Sequence, residues 1–149
     1  MSTKNTPLIP KVARRHDTLH STNATALRAI QSDTPPAHGA VVWADAQTAG
    51  RGQGSNSWHS SPGVNLTLSV IAYPEQLLAD QLFTLTHLTG LSVRATVERF
   101  SELPATSVTV KWPNDVYVGD QKIAGILVQN GLRGNRVAWS VMGGGLTVN

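Results

Sequence analysis

The sequence predicts an α+β domain with a mixed, largely antiparallel sheet and helices packed on one face of it. Apolar and polar residues alternate over residues 64–73, which is typical of a half-buried strand. Leucine and valine recur at helical spacing over residues 76–100. The predicted order is one helix, two strands, a second helix and then several strands, and this order favours the α+β class.

Composition limits the chain to a few classes of protein. Its 149 residues are enough for one domain with a core, and the net charge of +3 is too small to indicate nucleic-acid binding. The absence of cysteine excludes a disulfide framework and a thiolate zinc site. No apolar run approaches the roughly 20 residues that span a bilayer, and residues 1–11 lack the apolar core of a signal peptide. We therefore expect a soluble cytoplasmic protein with residues 1–15 as a leader and 16–149 as one domain.

The predicted elements of the N-terminal half follow from cap and turn residues. Residues 1–14 are predicted to be a loose leader or a short edge strand, and residues 16–22 lead into a helix. Ser21 is a good N-cap for that helix, and Thr34-Pro35-Pro36 ends it. A short buried strand is expected over residues 39–45.

A glycine-rich loop follows this strand. Gly50, Gly52 and Gly54 alternate with Arg51 and Gln53. Glycines at this spacing let the backbone approach a ligand closely, and arginine offers a forked cation for carboxylate or phosphate. The loop is neither a Walker A motif nor a convincing dinucleotide fingerprint. On spacing alone, a flexible hairpin connection remains the alternative.

The C-terminal half is predicted to be a helix followed by strands. Residues 76–100 are read as one long helix or two, with Gly90 as a weak point. A hairpin is expected around Gly119-Asp120, and Gly143-Gly144-Gly145 closes the last strand. The predicted strands are residues 107–112, 115–118, 123–129 and 136–142.

Two further segments carry candidate chemistry. Lys111-Trp112-Pro113-Asn114-Asp115 places a cation, an aromatic ring, an amide and a carboxylate where they could contact a nucleobase, ribose or phosphate. The alternative is a strand with a buried tryptophan and an ordinary turn. Lys122 precedes an apolar strand, and it is either a solvated surface residue or a cation that faces a ligand cavity.

Taken together and in order, these segments resemble the biotin protein ligases, within the wider biotin/lipoate ligase superfamily. The resemblance extends from about Leu19 to Asn149, and it implies a fold like the catalytic core of class II aminoacyl-tRNA synthetases. Lys-Trp-Pro-Asn-Asp with the Gly-Ile-Leu strand favours the biotin branch. The matching segments are Ser21-Thr22-Asn23, residues 47–52 with Trp58, residues 62–66, Lys111 to Asp115, residues 122–127 and the closing glycine strand.

The resemblance implies an ATP-dependent enzyme that activates biotin as biotinyl-5′-AMP and transfers it to a lysine of a biotin carboxyl carrier domain. Mg²⁺ is expected to arrive with ATP rather than to occupy a dedicated metal site, and Arg51 and Lys122 are the expected catalytic residues. The expected biotin-binding residues are Ser21, Thr22, Asn23, Gln47, Gly50, Arg51, Gly52, Gln53, Lys122, Gly125 and Leu127. The expected nucleotide-binding residues are Trp58, Lys111, Trp112, Asn114, Asp115, Gly143, Gly145 and Asn149.

Two alternatives stay open: a lipoate or octanoyl ligase or transferase of the same superfamily, and a truncated biotin-binding module without transfer activity. The sequence departs from the family pattern at Gln53, Gly54-Ser55 and Thr147. The family chain continues beyond Asn149, so its C-terminal part is expected to be absent here. No winged-helix segment precedes Ser21, which predicts no DNA binding, and a homodimer is left open.

Overall fold

The computed structural model describes residues 13–101, 104 and 107–148, and a seven-stranded sheet forms its centre. The elements are β1 (Ala13–Leu19), α1 (Thr22–Ile30), β2 (Val41–Gln47), β3 (Gly50–Arg51), β4 (Ser57–Trp58), β5 (Asn65–Ala72), α2 (Phe83–Phe100), β6 (Val108–Lys111), β7 (Asp115–Val118), β8 (Gln121–Arg133) and β9 (Arg136–Thr147). The large sheet has the order β1-β2-β5-β9-β8-β7-β6, and β3 pairs with β4 in a small hairpin. β1 and β2 are parallel and the other neighbouring pairs are antiparallel. The predicted α+β class with a mixed, largely antiparallel sheet is confirmed.

The two helices pack on opposite faces of the sheet, which corrects the prediction that they share one face. Ile71 on β5 pairs with Val141 on β9, and both belong to the core under α1. Ile126 on β8 pairs with Gly144 on β9, and Ile126 belongs to the core under α2. Val141 and Gly144 are three residues apart in one strand, so they face opposite sides. An apolar stripe shows that a helix is buried, but it does not show on which side of the sheet. The buried residues are Ala26, Val42, Ile71 and Val141 under α1, and Val108, Val116, Ala124 and Ile126 under α2.

The first strand crosses the predicted boundary between leader and domain. β1 begins at Ala13 and lies at the edge of the sheet, so residues 13–15 of the predicted leader belong to the domain. The segment that was expected to lead into the helix is therefore mostly strand. Arg15 bonds to the Asp45 carboxylate on β2 with an Nη2–Oδ2 distance of 2.9 Å, and this contact raises the pKa of Arg15. The rest of the predicted leader, residues 1–12, lies outside the described residues.

The long helix is continuous and starts later than predicted. α2 begins at Phe83 after a short 3₁₀ turn at Ala79–Gln81, and Gly90 does not interrupt it. A Cβ at Gly90 would lie 3.3 Å from Val110 Cγ1, so the glycine permits close packing of helix on sheet. Within the described part of the chain, no helix has the length and apolar character needed to cross a membrane.

Strand β5 buries its polar face rather than its apolar one. Thr67 and Ser69 are 3% and 0% exposed, whereas Leu66 and Leu68 on the other face are only half-buried. The alternation predicted the strand correctly, but these polar side chains face α1 and a cavity instead of solvent. A buried polar face needs internal hydrogen-bond partners, and it therefore marks the site described next.

Candidate active site

A cavity of about 220 Å³ opens on the face of the sheet that carries α1. Its walls come from the N-terminus of α1, the end of β2, the β3–β4 hairpin, the start of β7 and the central parts of β8 and β9. Strand alternation brings the polar residues of β5 and the glycines of β8 and β9 to this face. The site is thus assembled from segments that are far apart in the sequence.

Glycines form a floor on which larger side chains lie. Gly125 and Gly145 are paired across β8 and β9, and the Trp58 ring lies directly over both. A Cβ at Gly125 would be 2.8 Å from a ring carbon of Trp58, and a Cβ at Gly145 would overlap the indole nitrogen. At Gly143 a Cβ would overlap the Asn23 side chain. No other residue fits these positions without displacing a wall of the cavity.

The N-terminus of α1 supplies the polar end of the cavity. Ser21 caps the helix because its Oγ accepts a hydrogen bond from the Ala24 N–H at 3.4 Å. The Thr22 N–H donates to Gln47 Oε1 at 2.7 Å, which ties the helix to the end of β2. These bonds fix Ser21, Thr22 and Gln47 in place before any ligand binds.

Two cations also line the cavity. Arg51 comes from the β3–β4 hairpin and Lys122 from the start of β8. Lys122 Nζ lies 2.8 Å from Asp115 Oδ1 and 5.7 Å from the centroid of a Trp58 ring. The lysine is therefore held beside the cavity by one carboxylate and one aromatic face.

Two buried polar atoms at the cavity lack a partner. Trp58 Nε1 and Thr67 Oγ1 make no hydrogen bond to any of the described residues. Buried polar groups in folded proteins are normally satisfied, so unpaired groups that line a cavity indicate a place for a polar ligand or water. Thr67 was missed in the sequence, although it lies on the polar face of β5 that the alternation had revealed.

A second cavity of about 470 Å³ lies beside the first. The two cavities share Gln47, Ser57 and Trp58, so these residues lie between them. The second cavity is polar, with hydroxyl, amide and imidazole groups from Thr48, His59, Ser60, Ser61, Asn65 and Thr147.

The structure brings most of the predicted site residues together. Gly50 lines the second cavity instead of the first, and Asn149 lies outside the described residues. The predicted residues that line the first cavity are Ser21, Thr22, Asn23, Gln47, Arg51, Gly52, Gln53, Trp58, Asn114, Asp115, Lys122, Gly125, Leu127, Gly143 and Gly145. Further lining residues that the sequence did not single out are Asn56, Ser57, Thr67, Ile126 and Gly144.

Lys111 and Trp112 are not among the residues that line either cavity, and their place at the nucleotide stays a prediction. Trp112 is 69% exposed and stacks on Phe83 of α2, with ring centroids 6.4 Å apart. Lys111 Nζ lies 5.4 Å from the centroid of the Tyr117 ring.

Two predicted ligand-binding amides already have partners within the protein. Asn114 Nδ2 donates to the Ile126 carbonyl at 3.1 Å, and this bond fastens the turn before β7 to β8. Asn23 Nδ2 donates to Leu127 O at 3.2 Å and to Gln129 Oε1 at 3.0 Å. Both side chains shape the cavity wall.

The fold and this site define a family. Residues 16–146 match the sequence profile of the biotin/lipoate A/B protein ligase family, and the chain belongs to that family.

Within the family, the relatives are biotin ligases. The chain is 36% identical over 134 residues to the bifunctional ligase/repressor BirA of Bacillus subtilis (strain 168), covering 90% of this chain and 39% of that protein. The biotin protein ligase from Aquifex aeolicus in complex with biotin and ATP superposes with a TM-score of 0.73 at 27% identity, over 91% of this chain and 52% of that one. The ligase from Leishmania major in complex with biotinyl-5-AMP gives 0.71 at 26% identity, over 92% and 57%. The resemblance to biotin protein ligases is confirmed, and the chain spans well under two thirds of each of these proteins.

Proposed function

We propose that this chain acts as the catalytic part of an ATP-dependent biotin–protein ligase. The observation that carries the proposal is that a fixed set of hydrogen-bonding groups and the two cations Arg51 and Lys122 line one cavity. The similarity to proteins solved with biotin, ATP and biotinyl-5-AMP supports it.

The polar end of the cavity suits the urea ring of biotin. Gln47 Oε1 is used by the Thr22 N–H, so the Gln47 amide nitrogen remains a donor. Ser21 Oγ accepts from a backbone N–H, so its own proton is available to a ligand. A urea carbonyl accepts such donors, whereas the disulfide ring of lipoate and the chain of octanoate offer no comparable acceptor. These groups favour biotin over the lipoyl alternative.

The two cations suit the carboxylate of biotin and the α-phosphate of ATP. Arg51 would hold these anions, and Lys122 would exchange its contact with Asp115 for the negative charge that develops on the phosphate. The backbone of Gly52 and Gln53 lines the same region. Catalysis would rest on proximity and on charge stabilisation, with no covalent enzyme intermediate.

Two displacement steps complete the proposed reaction. A carboxylate oxygen of biotin attacks the α-phosphorus of ATP, a P–O bond forms, and the bond to the leaving pyrophosphate breaks. The amino group of a carrier lysine then attacks the acyl carbon, a C–N bond forms, a proton is lost and AMP leaves. The β3–β4 hairpin covers the cavity, and it would shield the anhydride from water between the steps.

The second cavity is the proposed place for the adenosine of ATP. It offers amide and hydroxyl groups from Asn65 and Thr147, and Trp58 is among its lining residues. Asp115 is a single carboxylate at the first cavity, and Mg²⁺ commonly binds through one or two carboxylates together with substrate phosphates. This donor set fits a magnesium ion that arrives with ATP and offsets phosphate charge. We further propose a biotin carboxyl carrier domain as acceptor and, because ATP is the co-substrate, the cytoplasm as the location.

Calorimetric titration of the 149-residue chain with biotin, alone and then with ATP and Mg²⁺, tests the proposal. We expect biotin binding that tightens with ATP, and biotinyl-AMP detected by mass spectrometry. Biotin binding without adenylate would instead support a binding module without catalysis. Binding of lipoate in preference to biotin would overturn the substrate assignment.

A further inference from the structure

A buried serine lies behind the polar end of the first cavity. Ser69 on β5 is 0% exposed, and its Oγ lies 2.6 Å from Asn23 Oδ1 and 2.8 Å from Thr22 Oγ1. Thr22 and Asn23 line the cavity, whereas Ser69 supports both from beneath. Three polar side chains from α1 and β5 thus form one buried network.

The network determines which atom donates each proton. Asn23 Nδ2 lies 3.2 Å from the Leu127 carbonyl oxygen, and a carbonyl can only accept, so the Asn23 oxygen must face Ser69. An amide oxygen cannot donate, and therefore the Ser69 hydroxyl proton lies in the bond to Asn23. A hydroxyl has one proton, so the bond between Ser69 and Thr22 must use the proton of Thr22.

This arrangement leaves Thr22 with only lone pairs to offer a ligand. We propose that Ser69 is a positioning residue that fixes the Thr22 hydroxyl as an acceptor for an N–H of the substrate. The inference rests on the proposed function and deepens it, because it makes the cavity specific for a ring with N–H groups beside its carbonyl. A ring oxygen at the same place would meet the lone pairs of Thr22 and be repelled.

Two cyclic carbamate analogues of biotin test this polarity, each with an oxygen atom in place of one urea N–H. For the unaltered chain we expect one analogue to bind at least about tenfold more weakly than biotin. Ser69→Ala frees the Thr22 proton to turn toward the ring oxygen. The preference for biotin over that analogue should then fall to within about threefold, while biotin itself binds about fivefold more weakly. Mere loss of packing would weaken both ligands alike and leave the preference unchanged.

Ser140→Ala is the matched control. Ser140 is also 0% exposed and lies on neighbouring β9, but its Oγ has no hydrogen-bond partner among the described residues. Its substitution should leave the preference intact, and in a Thr22→Val background Ser69→Ala should not change the preference between the two ligands. A preference that survives Ser69→Ala while biotin still binds would overturn this inference alone. Absence of biotin binding by the unaltered chain would overturn the proposed function and the inference with it.

Discussion

At the scale of single residues, one substitution of Lys122 distinguishes the effect of its charge on catalysis from its effect on folding stability. Lys122→Gln keeps a donor for Asp115 but removes the positive charge, so we expect adenylate formation to fall by about 10²-fold or more. The loss of folding free energy should stay within about 1 kcal/mol, because the ion pair is partly solvated. Single-turnover formation of biotinyl-AMP and a urea denaturation curve measure the two effects.

Lys111→Gln is the control for this charge. Lys111 lies over the Tyr117 ring and lines neither cavity, so adenylate formation should change by less than about twofold. If Lys111→Gln slowed adenylate formation as much as Lys122→Gln, Lys111 would also act in the site, which would contradict this expectation.

The sequence showed which segments contribute to the site better than it showed which of their side chains line the cavity. The sequence placed Lys111 to Asp115 together as one candidate segment, yet only Asn114 and Asp115 reach the cavity. Trp112 lies in the turn between β6 and β7, and its ring stacks on Phe83 of α2. Ser69 and Thr67 were visible as a polar face of β5, but their function depends on α1, which packs against them through contacts remote in sequence.

At the scale of elements, the glycine floor of β8 and β9 is sensitive to a single methyl group. Gly125→Ala would place a Cβ 2.8 Å from the Trp58 ring, and the paired strands leave it little room to move. We expect a loss of about 1–3 kcal/mol in unfolding free energy and displacement of the indole from the cavity. Denaturant midpoints and tryptophan fluorescence measure these changes.

Gly144→Ala provides the comparison within the same strand pair. Nothing lies within 4 Å of a Cβ at this position, so the unfolding free energy should change by less than about 0.5 kcal/mol. A destabilisation as large as that of Gly125→Ala would show that strand conformation, rather than contact with Trp58, requires the glycines.

The elements themselves were largely predictable from local patterns. Alternation and helical spacing located β5 to β9, α1 and α2 to within a few residues, except that α2 begins at Phe83 and β8 and β9 extend further than expected. The face on which each helix packs was not predictable, because it depends on the order of strands in the sheet. That order pairs β5 with β9, which are joined by no local turn.

At the scale of the whole molecule, the sheet separates the site from one of the two helices. Biotin and ATP should therefore slow hydrogen exchange in the β3–β4 hairpin and at the start of α1, which border the cavities. The amides of α2, packed on the other face, should change little. Mass spectrometry of peptides from the free and ligand-bound chain measures both regions, and protection confined to α2 would contradict the proposed site.

The place of Trp58 between the two cavities also has a thermodynamic consequence. Both proposed ligands would lie against Trp58, so the position that this residue takes for one ligand alters the fit of the other. Linkage requires this coupling to be reciprocal, since the factor by which biotin changes the affinity for ATP must equal the factor by which ATP changes the affinity for biotin. A substitution of Trp58 that changes one of these factors must therefore change the other equally.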